Sequence, residues 1–273
     1  MAILIPIALV LLAAWLTWRS KRSRAPGYLA HAEYWVYLPE AKLPSQDAVM
    51  TRLVQDRPFG EGRIGSKEAL LFSDIRFHMG LVRRDRNPKQ FRPDLFTPRA
   101  EPTAAILEAL AAAQGFVMVR YISEEPLRDD RHLRFLPHVA EAVAALGHGE
   151  VVYDAVAQRL ITLDSHRDVL AENPDTAVFE VQVDVEWQVE DGAGSARTYG
   201  MTKRGLPDLF AQDCPPDHET LVRDLVTEAA RSIWTSGEVP DHVDAEAFGD
   251  GFRVIVQRRS RDEAAVWMMR RST

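Results

Sequence analysis

One cysteine, Cys214, stands in a chain of 273 residues. That excludes an intramolecular disulfide framework and any all-cysteine metal site. Basic residues are also short: 33 Lys and Arg against 40 Asp and Glu give a net charge of −7. Long apolar runs are nearly absent, with a single one at the start, so a polytopic membrane protein is excluded. Glycine and proline, 15 and 16 residues, are too few for a collagen-like or low-complexity chain. What is present, 46% hydrophobic and 27% charged residues, matches a globular protein. Its length allows one large domain or two small ones around a real core.

Residues 2–18, AILIPIALVLLAAWLTW, contain no charged side chain, and RSKRSR follows. At a rise of about 1.5 Å per residue, such a run is at the short end of what spans a bilayer core. Trp15 and Trp18 sit where an interfacial aromatic belt would place them. A cleaved signal peptide needs a basic region before the run and a small-x-small site after it. Here nothing basic but the α-amino group precedes the run, which ends in Trp-Arg. The sequence therefore predicts an N-terminal single transmembrane helix. Residues 1–24 form the anchor and basic stop, 25–32 a linker through Pro26-Gly27, and 33–273 a soluble domain. Basic residues flank only the C-terminal side, which predicts an outside N-terminus and a cytoplasmic soluble domain at the cell membrane. Arg19, Lys21, Arg22 and Arg24 would then meet anionic headgroups. With +4 on residues 1–24 and −7 on the chain, residues 25–273 carry −11. Nucleic acid is thus not expected as a partner.

Periodicity predicts the elements that follow. Tyr34–Leu38 and Phe116–Ile122 read as strands, and 74–84 alternates. Helices are expected over 46–55 behind Ser45, over 102–113, and from Pro137 to Gly147. Val151–Tyr153 and Leu160–Thr162 read as two short strands, and 165–172 as a helical turn or two. Residues 179–190 alternate strictly and predict one long half-solvated strand. It turns at 191–194 and pairs with Arg197–Met201. Asp217–Trp234 is the clearest amphipathic helix, and Phe252–Gln257 with Ala264–Met269 a final hairpin. The fold class is α+β, a mixed, mostly antiparallel sheet with packed helices. Residues 74–122 and 179–257 share an order of elements, which raises two related halves, 33–149 and 150–273. Residue identity between them is too low to count as a repeat.

No complete catalytic constellation appears. Gly60-Glu61-Gly62-Arg63-Ile64-Gly65 has the spacing of a phosphate-cradling loop, but a helix rather than a strand should precede it. Gly65-Ser66-Lys67 has the wrong order for a P-loop, so an ordinary flexible loop is the reading. Asp164, His166 and Asp168 could ligate a metal. On a helix, however, His166 leaves the face shared by the two acids, so capping and a solvated face account for them. His148-Gly149-Glu150 lacks the cysteines that a zinc deaminase requires. Cys214 with His218 is one thiol near one imidazole, without a positioned base. Glu180, Asp184, Glu186 and Glu190 share the polar side of the long strand and read as a solvated face with cross-strand cations. The basic segment 83–99, interleaved with Phe91 and Phe96, either lies on a membrane or acidic partner or is an exposed loop. No metal or cofactor is expected.

Thr198-Tyr199-Gly200-Met201 followed by Gly205-Leu206-Pro207-Asp208-Leu209 resembles the T-x-G-M-x-x-x-G-x-P-[DE]-L pattern of an uncharacterised family of bacterial domains of unknown function. The resemblance covers 150–240 and implies no activity, cofactor or catalytic residue. Thr198, Tyr199, Gly200, Gly205, Pro207 and Asp208 read either as a binding region or as a structural turn, the turn being favoured. The glycines would permit close backbone approach, and Pro207-Asp208 a new helical turn. The function expected is a membrane-anchored module that binds a protein partner or organises an assembly. The alternative is a membrane-anchored hydrolase built from scattered groups such as His78, His132 or His166 with nearby acids. Two or more His, Asp or Glu side chains meeting in a pocket would favour the hydrolase. An exposed apolar patch without such convergence would favour the binding module.

Overall fold

The computed structural model describes residues 30–96, 102–125, 127, 129–247 and 250–270. The expected anchor, residues 2–18, and its basic stop lie outside the described residues. No helix among the described residues is long and apolar enough to cross a membrane.

The fold is α+β with two mostly antiparallel sheets. The first contains β1 (Ala30–Leu38), β2 (Phe77–Arg83), β3 (Gly115–Ser123), β4 (Val151–Asp154) and β5 (Arg159–Thr162) in the order β2-β3-β1-β4-β5. Between and after these strands run α1 (Gln46–Thr51), α2 (Ser66–Ala69), α3 (Ala104–Ala112), α4 (Arg131–Gly147), α5 (Leu163–Glu172) and α6 (Phe179–Gln182). The second sheet contains β6 (Asp184–Glu190), β7 (Ala193–Tyr199), β8 (Asp208–Cys214), β9 (His242–Ala247), β10 (Asp250–Arg258) and β11 (Glu263–Arg270). Its order is β6-β7-β8-β11-β10-β9, and α7 (Glu219–Ser236) follows β8. Only the β8–β11 pairing is parallel.

Both faces of the first sheet are buried. On one, Val36, Val117, Val119 and Val152 pack against Phe135, Leu136, Val139 and Val143 of α4. On the other, Tyr37, Phe116, Val151 and Tyr153 pack against Phe91, Phe96, Ile106 and Leu110. This corrects the surface reading of 83–99, because its phenylalanines are core. Arg84 explains part of the basic charge there. Its guanidinium donates to the carbonyls of Leu110, Ala111 and Ala113, the otherwise unpaired end of α3. The second sheet is buried on one face only, where Leu209, Ala211, Val254 and Val256 meet Leu225, Val226, Ala229 and Ile233 of α7.

Four expectations are corrected. First, β4 and β5 belong to the first sheet, so the boundary at 149/150 cuts through it. Val152 pairs with Val36 in the sheet centre and is fully buried, as Val151 nearly is. Second, β1 begins at Ala30, inside the expected linker. Third, α4 starts at Arg131 with Pro137 inside it. Pro137 has no N–H for the Leu133 carbonyl four residues back. That carbonyl instead accepts from Gln182 Nε2 at 3.0 Å and Thr176 Oγ1 at 3.2 Å.

Fourth, the expected strand 179–190 is split. Phe179, Val181 and Val183 are buried as expected, but 179–182 turn as α6, and Gln182 is buried too. Its side chain spans Leu133 O and Thr176 O, which draws the segment out of the ladder. Gly200, at φ +117°, lies so close that a Cβ there would stand 2.2 Å from the Gln182 carbonyl oxygen. The β6–β7 turn is the two-residue Asp191-Gly192, both at positive φ, the conformation that suits a tight hairpin. Likewise Asp208 opens a strand, not a helical turn.

Candidate functional site

Where the two sheets meet, the turn Met201–Arg204 packs against β1. Gly200 and Gly205 flank it at φ +117° and +77°. The turn carries Lys203, fully buried, into the first sheet. Its ammonium donates to Asp154 Oδ2 at 2.5 Å, Gln182 O at 3.0 Å and Gln182 Oε1 at 3.0 Å, and lies 5.5 Å from the centre of the Tyr34 ring. Three donors meet three acceptors, so the charge is fully satisfied. Burial holds the Lys203 pKa below the usual lysine value, against the pull of Asp154. The Lys203 carbonyl accepts from His132 Nε2 at 2.8 Å. Burial lowers the His132 pKa to about 4, so the imidazole is neutral.

Of the residues singled out by the motif, Thr198, Gly200, Gly205 and Asp208 come together around this turn. Thr198 Oγ1 and the Met201 N–H both donate to Asp208 Oδ1 at 3.1 Å, and the Leu209 N–H donates to Thr198 Oγ1 at 2.8 Å. Burial pushes the Asp208 pKa up to about 7. Pro207 is buried beside them. Tyr199 faces the other side of the sheet, with the Arg197 guanidinium 5.4 Å from its ring centre. The motif residues therefore shape the turn that delivers Lys203. Sequence reasoning missed Lys203, Asp154, Gln182 and Tyr34. The signal was a lysine between two glycines that each require positive φ.

A cavity of about 70 Å³ opens beside this junction, lined by Tyr34, Asp154, Arg159, Ser165, His166 and apolar side chains. Asp154 and His166 thus meet in one pocket. Neither is free for proton transfer. Asp154 Oδ1 accepts the Ala157 N–H at 3.0 Å and Oδ2 the Lys203 ammonium. His166 Nε2 bonds the Pro137 carbonyl at 2.9 Å, and burial lowers its pKa. Tyr34 is likewise raised well above the usual tyrosine value by burial. No nucleophile–base pair results.

Two further histidines share a recess with acids, His78 with Asp74, Glu124 and Glu125 and His138 with Glu141, but Asp74 is held by Arg76 and Glu141 by Arg52 and Arg167. His78 is exposed on β2, and His132 sits at the Lys203 turn. His148 ends α4 in the left-handed region at φ 55°, its N–H on the Ala144 carbonyl, which gives His148-Gly149-Glu150 a capping role. On α5, His166 points inward while Asp164 and Asp168 are exposed. Among the described residues no group of three His, Cys, Asp or Glu could hold a metal. A second buried ionic group lies on α4, where Glu141 accepts from Arg52 at 2.6 and 3.0 Å and from Arg167 at 3.0 Å. No family model, curated protein or solved structure matches the chain, so the resemblance of 150–240 adds nothing to these residues.

Proposed function

We propose that the chain is a non-catalytic module, held at the cytoplasmic side of a cell membrane by residues 2–18, that binds an acidic protein segment across β10 and β11. The observation that supports this reading is the outer face of the second sheet. Trp267 and Met269 are 45% and 58% exposed there, with Ile255 and Arg253 opposite them in register. α7 covers only the other face. An exposed aromatic beside a flexible apolar side chain is the composition of an interface centre. Charge selects the partner. Arg253 lies on this face, its Nε on Asp244 Oδ1 at 3.0 Å, and Arg259 and Arg261 stand at the β10–β11 turn beside Asp262 and Glu263, on a chain of net charge −7. A partner with acids around an apolar anchor complements that strip.

The test starts with the full chain in native membranes, which should resist carbonate extraction. Partners are captured from the same membranes and identified. The reading stands if an acidic segment of a captured protein, made as a peptide, binds the purified chain. That binding should weaken with salt and fail for Trp267→Glu. It falls if no peptide binds, or if Trp267→Glu binds as well as the parent. The hydrolase reading keeps the observation that histidines share recesses with acids, His166 with Asp154, His138 with Glu141, and His78 with Asp74, Glu124 and Glu125. A hydrolase would lose turnover on His166→Gln, His138→Gln or His78→Gln and leave peptide binding untouched.

A further inference from the structure

We propose that the cavity between β4–β5 and α5 binds a short aliphatic carboxylate. Its apolar wall comes from Val152, Ile161, Val169 and Leu170. The polar wall carries an imbalance of charge. Asp154 and Arg159 line it, and Lys203, behind the wall, takes the Asp154 carboxylate at 2.5 Å. Arg159 lies opposite Asp154 in the β4–β5 register, yet among the described residues no ion pair holds it. Its Nη2 donates to the Val181 carbonyl, and its Nε is buried without a hydrogen-bond partner. A buried donor left unmade is costly, so a site that leaves one beside a cavity is suited to an acceptor that enters from outside.

The ligand class follows from what surrounds that donor. One unmatched cation calls for a monoanion. A carboxylate accepts from an arginine in the plane of the guanidinium. Ser165, in the first turn of α5, offers a hydroxyl now shared with Thr162 Oγ1 at 2.9 Å, and the dipole of that helix favours an anion there. Asp154 does not compete for the site as a free charge, because both its oxygens are engaged. The apolar wall asks for a hydrocarbon end and disfavours a hydrated phosphate. A volume of about 70 Å³ limits that end to a few carbons.

Propionate is the probe, titrated into the full-length chain by calorimetry, with 1-propanol, propylamine and phosphate as controls. Propionate should bind one to one and at least tenfold more tightly than 1-propanol. Propylamine and phosphate should not bind. Methyl resonances of Val152, Ile161 and Val169 should shift on titration. Arg159→Gln should weaken binding at least tenfold. Should that variant fail to fold, Val169→Met, which fills the cavity from α5, should abolish binding in a folded chain. Equal binding of 1-propanol, unmoved methyl resonances, or undiminished affinity in a folded variant would overturn the assignment. Peptide binding at β10–β11 involves a different surface, so either proposal can fail alone.

Discussion

The two sheets differ in how many faces they bury, and that difference organises the molecule. The first is a filled three-layer structure. The α4 helix covers one face, and residues 88–96 with α3 cover the other, so β1 and β3 read as nearly continuous apolar runs. The second sheet buries one face under α7 and leaves Phe210, Ile255, Trp267 and Met269 on the other, where the strands alternate. A long helix after the third strand and a sheet beneath it are common to both, so the contrast lies in the second cover over the first sheet. Titratable groups follow the same division. The first half and the junction engulf theirs, as with Glu141, His166 and Lys203. The second half keeps most of its charges at the rim.

The comparison breaks most severely at the junction. Lys203→Met removes one partner of a fully buried pair and leaves Asp154 charged among apolar atoms. The expected loss is about 3–5 kcal/mol in denaturant melts. Adding Asp154→Leu removes the stranded charge and should restore much of that loss. If Lys203→Met alone were neutral, the two sheets would not be joined by this pair. Next comes the doubly covered sheet. Trp35 stacks on Phe116 with ring centres 4.8 Å apart, meets Tyr153 edge-on, and donates to Glu33. Trp35→Ala should cost about 2–3 kcal/mol, at or just below the range for a large core aromatic, because the ring is half-buried.

Much of this was legible in the sequence, and the failures share one cause. The α+β class, the β4–β5 and β10–β11 hairpins and the helix at Glu219–Ser236 follow from local periodicity. Pro137 inside α4 and α6 in place of a strand do not, because each depends on a bond made far along the chain. The Leu133 carbonyl that Pro137 leaves free is taken by Gln182, 49 residues away. Lys203 escaped for the same reason: its three acceptors lie in β4 and α6. The glycines around it were visible as turn residues, but the side chain they aim was not. Phe91 and Phe96 look like a surface segment until the second face of the first sheet is known to need a cover.

A smaller effect separates the halves by pH. Burial lowers His132 and His138, both in the helix over the first sheet, to about 4, below the ordinary value of about 6.5. Between those values the unfolded chain binds two more protons than the fold, so their stabilisation is complete above about 6.5 and is lost as pH falls toward 4. Asp208, in the second sheet and raised to about 7, runs the other way. The fold holds a proton there that the unfolded chain releases, a contribution present at low pH and lost as pH rises through 7. One net proton remains, so stability should drop by about 1.4 kcal/mol per pH unit from pH 6 to 4.5. His166, shifted in the same direction as the other histidines, only adds to the fall. Asp208→Asn keeps the oxygen that accepts from Thr198 and Met201 but removes the opposing proton. The slope in melts across this range should then about double; an unchanged slope would show that Asp208 titrates normally.

The smallest expected change in stability falls on the open face, and it discriminates most sharply. Trp267 is as large as Trp35 but rests on a sheet surface with no layer above it, opposite Ile255. Trp267→Thr keeps a residue suited to a strand and loses only half-exposed contacts, so melts should move by about 0.5 kcal/mol or less. The same variant should lose binding to an acidic partner peptide, because an anchor at an interface centre contributes far more to association than to folding. Two tryptophans in one chain would then report opposite things, Trp35 on the fold and Trp267 on the partner. A stability loss at Trp267 comparable to that at Trp35 would mean that something covers the second sheet. The open face would then be part of the fold, and the partner would have to dock elsewhere.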